Sequence, residues 1–138
     1  MRILLVEDNK MNQLVALRML DKIGFAAEVA ADGNAAIGMI KAKPFDLVLM
    51  DCQMPGMDGF DTTRIIREME RAAGIPGTPV IGVSAKAESG ERDEAIAAGM
   101  DDHLTKPMRV DDLQRAIERW LGAPVPPEGA APAPLSGV

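Results

Sequence analysis

The chain has 138 residues, 47% of them apolar, and a formal net charge of -6 from 21 acidic and 15 basic side chains. That length suits one domain with a buried core, and the acidic balance argues against broad attraction to nucleic acid or to an anionic membrane. A single cysteine excludes an internal disulfide, and one cysteine with one histidine excludes Cys₄ and Cys₂His₂ zinc sites.

Ile3 to Val6 is a short, wholly apolar run and predicts a buried strand. Met11 to Ile23 predicts a helix, with Leu14, Leu17 and Leu20 spaced by three and Gly24 as its stop. Ala26 to Ala30 is a weaker second strand, and Asp32 is suited to cap a helix running to about Ala42. After the turn at Pro44, Leu47 to Met50 predicts a third strand. Asp58 caps the next helix, which carries Ile65, Ile66 and Met69 and ends near Gly74. Val80 to Val83 is the fourth strand, Ser89 to Ala98 the fourth helix with Gly99 past its end, and His103-Leu104 the centre of a short fifth strand. The last helix holds Val110, Leu113, Ile117 and Leu121.

Five strand–helix units result, and several strands are continuous apolar runs, which suit a parallel sheet covered on both faces. The expected fold is a doubly wound α/β domain over residues 1–122. Residues 123–138 hold five of the ten prolines among Ala and Gly and predict an extended linker or tail. The apolar run at the N-terminus is far too short for a membrane span, and acidic Glu7 and Asp8 interrupt it. A cytoplasmic setting without direct membrane contact is expected.

Ligand sites of open α/β sheets form at the carboxyl ends of the strands. Strand 1 delivers Glu7 and Asp8 there, strand 3 Asp51, strand 4 Ser84, and strand 5 Lys106-Pro107. Three adjacent carboxylates repel one another, and a hard divalent cation such as Mg²⁺ would offset that charge. An Asp carboxylate can attack phosphorus, while Lys106 and the Ser84 hydroxyl suit phosphoryl oxygens. Each residue also has an ordinary structural role open to it. Glu7 and Asp8 would serve as helix caps, Asp51 as a loop residue, Ser84 as a structural hydroxyl, and Lys106 as a surface charge. Cys52 is expected to be a small buried side chain, and His103 a structural or partner-facing one.

The segments ILLVEDN, DLVLMDCQMPGMDGFD, PVIGVSA and DDHLTKP, in this order and spacing, resemble those of receiver domains of two-component signalling, over roughly Arg2 to Gly122. The resemblance implies a flavodoxin-like (βα)₅ sandwich of strand order 2-1-3-4-5. It implies Asp51 as phosphoacceptor, with Mg²⁺ bound by Asp8 and Asp51 directly, by Glu7 through water, and by the backbone carbonyl of Gln53. Ser84 and Lys106 would contact the phosphoryl group, beside the small Ala85. The Lys106–Pro107 peptide is expected to be cis. Gln53 and Lys86 stand where relatives tune the rate of dephosphorylation. One departure is His103, which stands where relatives carry Tyr or Phe. In relatives that aromatic ring turns inward as a Ser or Thr moves toward the phosphate; the corresponding switch positions here are Ser84 and His103, and His103 departs from the aromatic pattern with a smaller, titratable ring.

The details VEDNKMNQ, MDCQMPGMDGFD and TKPM are most similar to receivers of hybrid sensor histidine kinases. The implied partners are a histidine kinase and a histidine phosphotransfer domain; a stand-alone response regulator is the alternative. Such a domain assists its own phosphorylation without being a turnover enzyme, although a parent chain would be a kinase. Met11, Val15, Pro107 and Met108 are expected to form an apolar docking patch, unless Met11 and Val15 pack into the core. A phosphatase of the haloacid-dehalogenase type would need a second Asp two residues past the nucleophile, and Gln53 stands there. A degenerate scaffold would have lost some of the acidic, Ser or Lys positions, and all are intact.

Overall fold

The computed structural model describes residues 2–85 and 89–121, without the side chains of residues 89–91. The expectations for Lys86 and for the tail at 123–138 lie outside the described residues. Along the chain run β1 (Ile3–Val6), α1 (Lys10–Lys22), β2 (Ala27–Ala30), α2 (Gly33–Ala42), β3 (Leu47–Asp51), α3 (Gly59–Ala73), β4 (Val80–Ser84), α4 (Ser89–Ala98), β5 (Asp102–Thr105) and α5 (Val110–Leu121). The strands form one parallel sheet in the order β2-β1-β3-β4-β5.

β1, β3 and β4 lie in the middle and are buried along their whole length. Their alternate side chains feed two cores. On one face Ile3, Leu5, Leu47, Leu49 and Ile81 pack against Ala16 and Leu20 of α1 and Leu113, Ala116 and Ile117 of α5. On the other, Leu4, Val6, Val48, Met50 and Val80 pack against Ala36 of α2, Phe60 and Ile66 of α3, and Ala95 and Ala98 of α4. A sheet clad in this way has no wet face at its centre, which is why β1, β3 and β4 are apolar up to their carboxyl ends.

The helix ends follow local chemistry. Asp32 accepts from the Ala35 amide and Asp58 from the Asp61 amide, each satisfying a first-turn donor. Gly74 closes α3 in the left-handed region at φ 68°, a conformation that favours glycine. α1 departs from expectation in two ways. Its cap is Asn9, whose side chain accepts from the Asn12 amide, so neither Glu7 nor Asp8 is the helix cap. Its leucine spacing also misleads: Leu20 is buried, but Leu14 is 52% exposed. Ala16 and Leu20, four apart, define the inward stripe, and Leu14 falls outside it.

Gly59 sets the start of α3 directly over the end of β3. A Cβ there would overlap the Asp51 carbonyl oxygen and come within 2.9 Å of Cys52 Cα, so helix and strand meet backbone to backbone. Gly59→Ala is expected to destabilise the fold by about 1–3 kcal/mol, the usual range for overpacking, as a lower urea midpoint with the slope unchanged.

Candidate functional site

The carboxyl ends of β1, β3, β4 and β5 bring one set of polar side chains together. Asp51 ends β3, and Glu7 and Asp8 follow β1. Carboxylate oxygens of Glu7, Asp8 and Asp51 all lie within 4.8 Å of one another. Glu7 and Asp51 are each 5% exposed, whereas Asp8 is exposed to solvent. Lys106, just past β5, reaches over both buried groups, its Nζ 3.3 Å from Glu7 Oε1 and 3.5 Å from Asp51 Oδ1. The following Lys106–Pro107 peptide is cis.

Backbone donors hold the two buried carboxylates in place. The Gln53 amide donates to Asp51 Oδ1 at 3.1 Å, and the Asn9 amide donates to Glu7 Oε2 at 3.1 Å. The Gln13 side-chain amide of α1 donates to the Glu7 carbonyl at 2.7 Å. One lysine facing three carboxylates leaves net negative charge in a largely buried corner. Such a corner suits a hard, oxygen-seeking divalent cation that takes one or two carboxylates and keeps part of its water shell. The donor set fits such an ion, and the cluster can hold a metal.

Ser84, the last residue of β4, is fully buried. Its hydroxyl oxygen lies 2.8 Å from Nε2 of His103 on β5, and its carbonyl accepts from the Lys106 amide at 2.7 Å. Ala85 beyond it is exposed. Cys52 is 1% exposed, as expected of a small core side chain.

Beside the charged corner, a cleft of about 440 Å³ runs between α1 and the segment after β5. Val15, Ala16 and Met19 line one side, Pro107 and Met108 the other, and Glu7, Asp51 and Lys106 are also in its wall. Met11 and Val15 are 68% and 46% exposed, so they do not pack into the core, and Leu14 widens the same apolar face. Pro107 is exposed and Met108 half-buried. The leucine spacing alone does not say which side of α1 faces the core; the burial of Ala16 and Leu20 turns Leu14 outward.

This arrangement agrees with a family match over residues 3–118, to the response regulator receiver domain. The chain belongs to that family. Among curated relatives, the hybrid signal transduction protein dokA of Dictyostelium discoideum is 40% identical over 119 residues, which are 86% of this chain and 7% of dokA. This receiver therefore spans a small part of that relative's length. Among solved structures, the receiver domain of sensor histidine kinase PA1611 from Pseudomonas aeruginosa, with magnesium in its active-site cleft, is 40% identical with a TM-score of 0.78. The match covers 88% of this chain and 98% of that one. The receiver domain of Saccharomyces cerevisiae Ssk1, crystallised with the phosphotransfer protein Ypd1, is 28% identical with a TM-score of 0.80, covering 87% of this chain and 88% of the other. The expected (βα)₅ fold with strand order 2-1-3-4-5 is the one observed. Among the described residues, no helix is long and apolar enough to cross a membrane.

The acidic cluster makes a direct prediction for metal binding. Mg²⁺ at about 100 times its dissociation constant is expected to stabilise the native receiver by about 2.7 kcal/mol. Asp8→Asn is expected to retain less than half of that gain, while being at least as stable as the wild type in chelator. Urea unfolding with and without Mg²⁺ measures both quantities.

Proposed function

We propose that Asp51 accepts a phosphoryl group from a phosphorylated histidine, making this receiver a relay module of the kind found in hybrid histidine kinases. One observation carries the reading: a buried carboxylate at the end of a central strand lies beside a lysine ammonium and two further carboxylates. Phosphoryl transfer needs little covalent help from a protein beyond this kind of positioning and charge neutralisation.

In the step proposed, a carboxylate oxygen of Asp51 attacks the donor's phosphorus. The P–O bond forms as the P–N bond to the donor imidazole breaks, and the imidazole leaves with that electron pair. The Gln53 amide, donating to Asp51 Oδ1, fixes the carboxylate's orientation. Lys106 Nζ stands over the same oxygen and would pair with a phosphoryl oxygen once the group arrives. Ser84 would donate its hydroxyl to another, and exposed Ala85 leaves the approach open. Asp8 and Asp51 would hold Mg²⁺ directly, Glu7 through water, and the Gln53 carbonyl as a further ligand. That ion supplies charge neutralisation between the carboxylates and the phosphoryl oxygens.

The donor is proposed to be a histidine kinase or a histidine phosphotransfer domain, docked on the apolar face beside the site. Exposed Met11, Leu14 and Val15 adjoin the cleft bounded by Pro107 and Met108, a surface suited to an apolar helix face. Support comes from relatives named as a hybrid signalling protein and as a receiver crystallised with a phosphotransfer protein. The receiver is proposed to act as phosphoacceptor rather than as a multiple-turnover enzyme, in a cytoplasmic setting.

Incubation with acetyl phosphate, followed by intact-protein mass, tests the acceptor. A single phosphoryl adduct that requires Mg²⁺ and disappears in Asp51→Asn is the expected result; an undiminished adduct in that variant would refute the assignment. The docking face is tested separately with a phosphorylated histidine phosphotransfer domain as donor. Met11→Asp with Val15→Asp is expected to slow transfer at least tenfold while leaving labelling by acetyl phosphate intact. Equal transfer rates would rule the face out.

A further inference from the structure

We propose that His103 is a positioning residue that retains the Ser84 hydroxyl against β5 and so sets how readily Ser84 turns toward a phosphoryl group on Asp51. The inference rests on the phosphoacceptor reading above and deepens it.

The observation behind it is the 2.8 Å separation between Ser84 Oγ and His103 Nε2. Gly82 pairs with His103 and Ser84 with Thr105 in the parallel register. Successive strand residues alternate faces, so Ser84, Gly82 and His103 share one side of the sheet. Asp51 pairs with Val83 and belongs to the other alternation. The Ser84 hydroxyl is therefore engaged sideways, along the sheet toward β5, and must turn to serve Asp51.

The base of the histidine is itself anchored. Asp102 Oδ1 accepts from the His103 amide at 2.8 Å, while Oδ2 accepts from Arg119 Nη1 at 2.6 Å and Trp120 Nε1 at 3.0 Å on α5. The strand segment carrying His103 is thus tied to the last helix. A phenylalanine at 103 could fill similar space but could not bond the hydroxyl. Whichever of the two atoms donates, the 2.8 Å contact holds the hydroxyl oxygen beside β5. Turning Ser84 toward a phosphoryl group gives up that contact for one with the phosphoryl oxygen, and His103 sets the first side of that exchange.

Beryllium fluoride with Mg²⁺ is the probe, titrated into the full chain and followed by fluorine NMR of the bound species. His103→Phe is expected to tighten binding about fivefold, the equilibrium factor of one ordinary hydrogen bond. His103→Gln, which restores a bonding amide, is expected to stay within about twofold of wild type on the same reasoning. In a Ser84→Ala background the His103→Phe effect is expected to vanish. Circular-dichroism unfolding confirms that each variant is folded.

Weaker binding in His103→Phe would mean that the ring assists rather than restrains Ser84, and would overturn the proposal. Equal tightening in the Ser84→Ala background, or a His103→Gln variant that behaves like His103→Phe, would overturn it as well, since shape alone would then act. A wild type that binds no beryllium fluoride at Asp51 would instead refute the phosphoacceptor reading, and this inference with it.

Discussion

The Lys106 ammonium over two buried carboxylates is the contact around which the site is arranged. Glu7 and Asp51 are each 5% exposed, and a buried carboxylate is costly unless it is paired or hydrogen-bonded. Each has both supports: a backbone amide from the next loop and the shared lysine. The three groups come from β1, β3 and the end of β5, so they meet only if all the intervening strands pair in register. One lysine cannot balance Glu7, Asp8 and Asp51 together. The residual negative charge suits the same corner to a divalent cation and, in the proposed reaction, to the phosphoryl group that would follow it.

The fold supplies that register through features far from the charges. Gly59 lets α3 start against the backbone of β3, directly beyond Asp51. On the opposite end of the sheet, Arg67 of α3 donates to the carbonyls of Gly99 and Thr78 and pairs with Glu70 and Asp101. Asp101 in turn accepts from the Val80 amide at the start of β4. A guanidinium offers several donors in a rigid fork, so one side chain joins α3, β4 and the approach to β5. The amino ends of β4 and β5 are pinned by this network, while the carboxyl ends of the strands carry the polar cluster proposed to do the chemistry. Stability and function are separated along the same strands.

Much of this was legible in the sequence because the physics is local. Uniformly apolar runs marked the central strands, and Asp32, Asp58 and Gly74 marked helix ends by hydrogen-bonding chemistry that acts within a few residues. The strand-end rule then placed Glu7, Asp8, Asp51, Ser84 and Lys106 near one edge, where the structure has them. What the spacing leaves open is orientation. Leu14, Leu17 and Leu20 mark a helix without showing which side is inward, and a 3.6-residue period with Ala16 and Leu20 inward turns Leu14 to solvent. The role of Asn9 was missed for a similar reason. An acidic pair and an Asn all lie before α1, and only the geometry shows that the Asn side chain, not either carboxylate, reaches the Asn12 amide. The Arg67 network had no sequence signal, since its partners lie up to 34 residues away.

The apolar cleft and the charged corner share a wall, and this bears on how a donor would be chosen. Val15, Met19, Pro107 and Met108 line the same cleft as Glu7, Asp51 and Lys106. Charge at the corner serves any phosphoryl donor and discriminates poorly, because phosphates look alike. Apolar complementarity discriminates well, because a partner lacking the matching face leaves Met11, Leu14 and Val15 in water and gains nothing from docking. Those three residues lie on the exposed side of α1, whose opposite side carries Ala16 and Leu20 into the core beneath β1 and β3. In the proposed docking, a single helix fixes the distance between the donor's apolar contact face and Asp51. Substitutions on its outer face would then alter partner choice without moving Asp51, whereas substitutions on its inner face would disturb both.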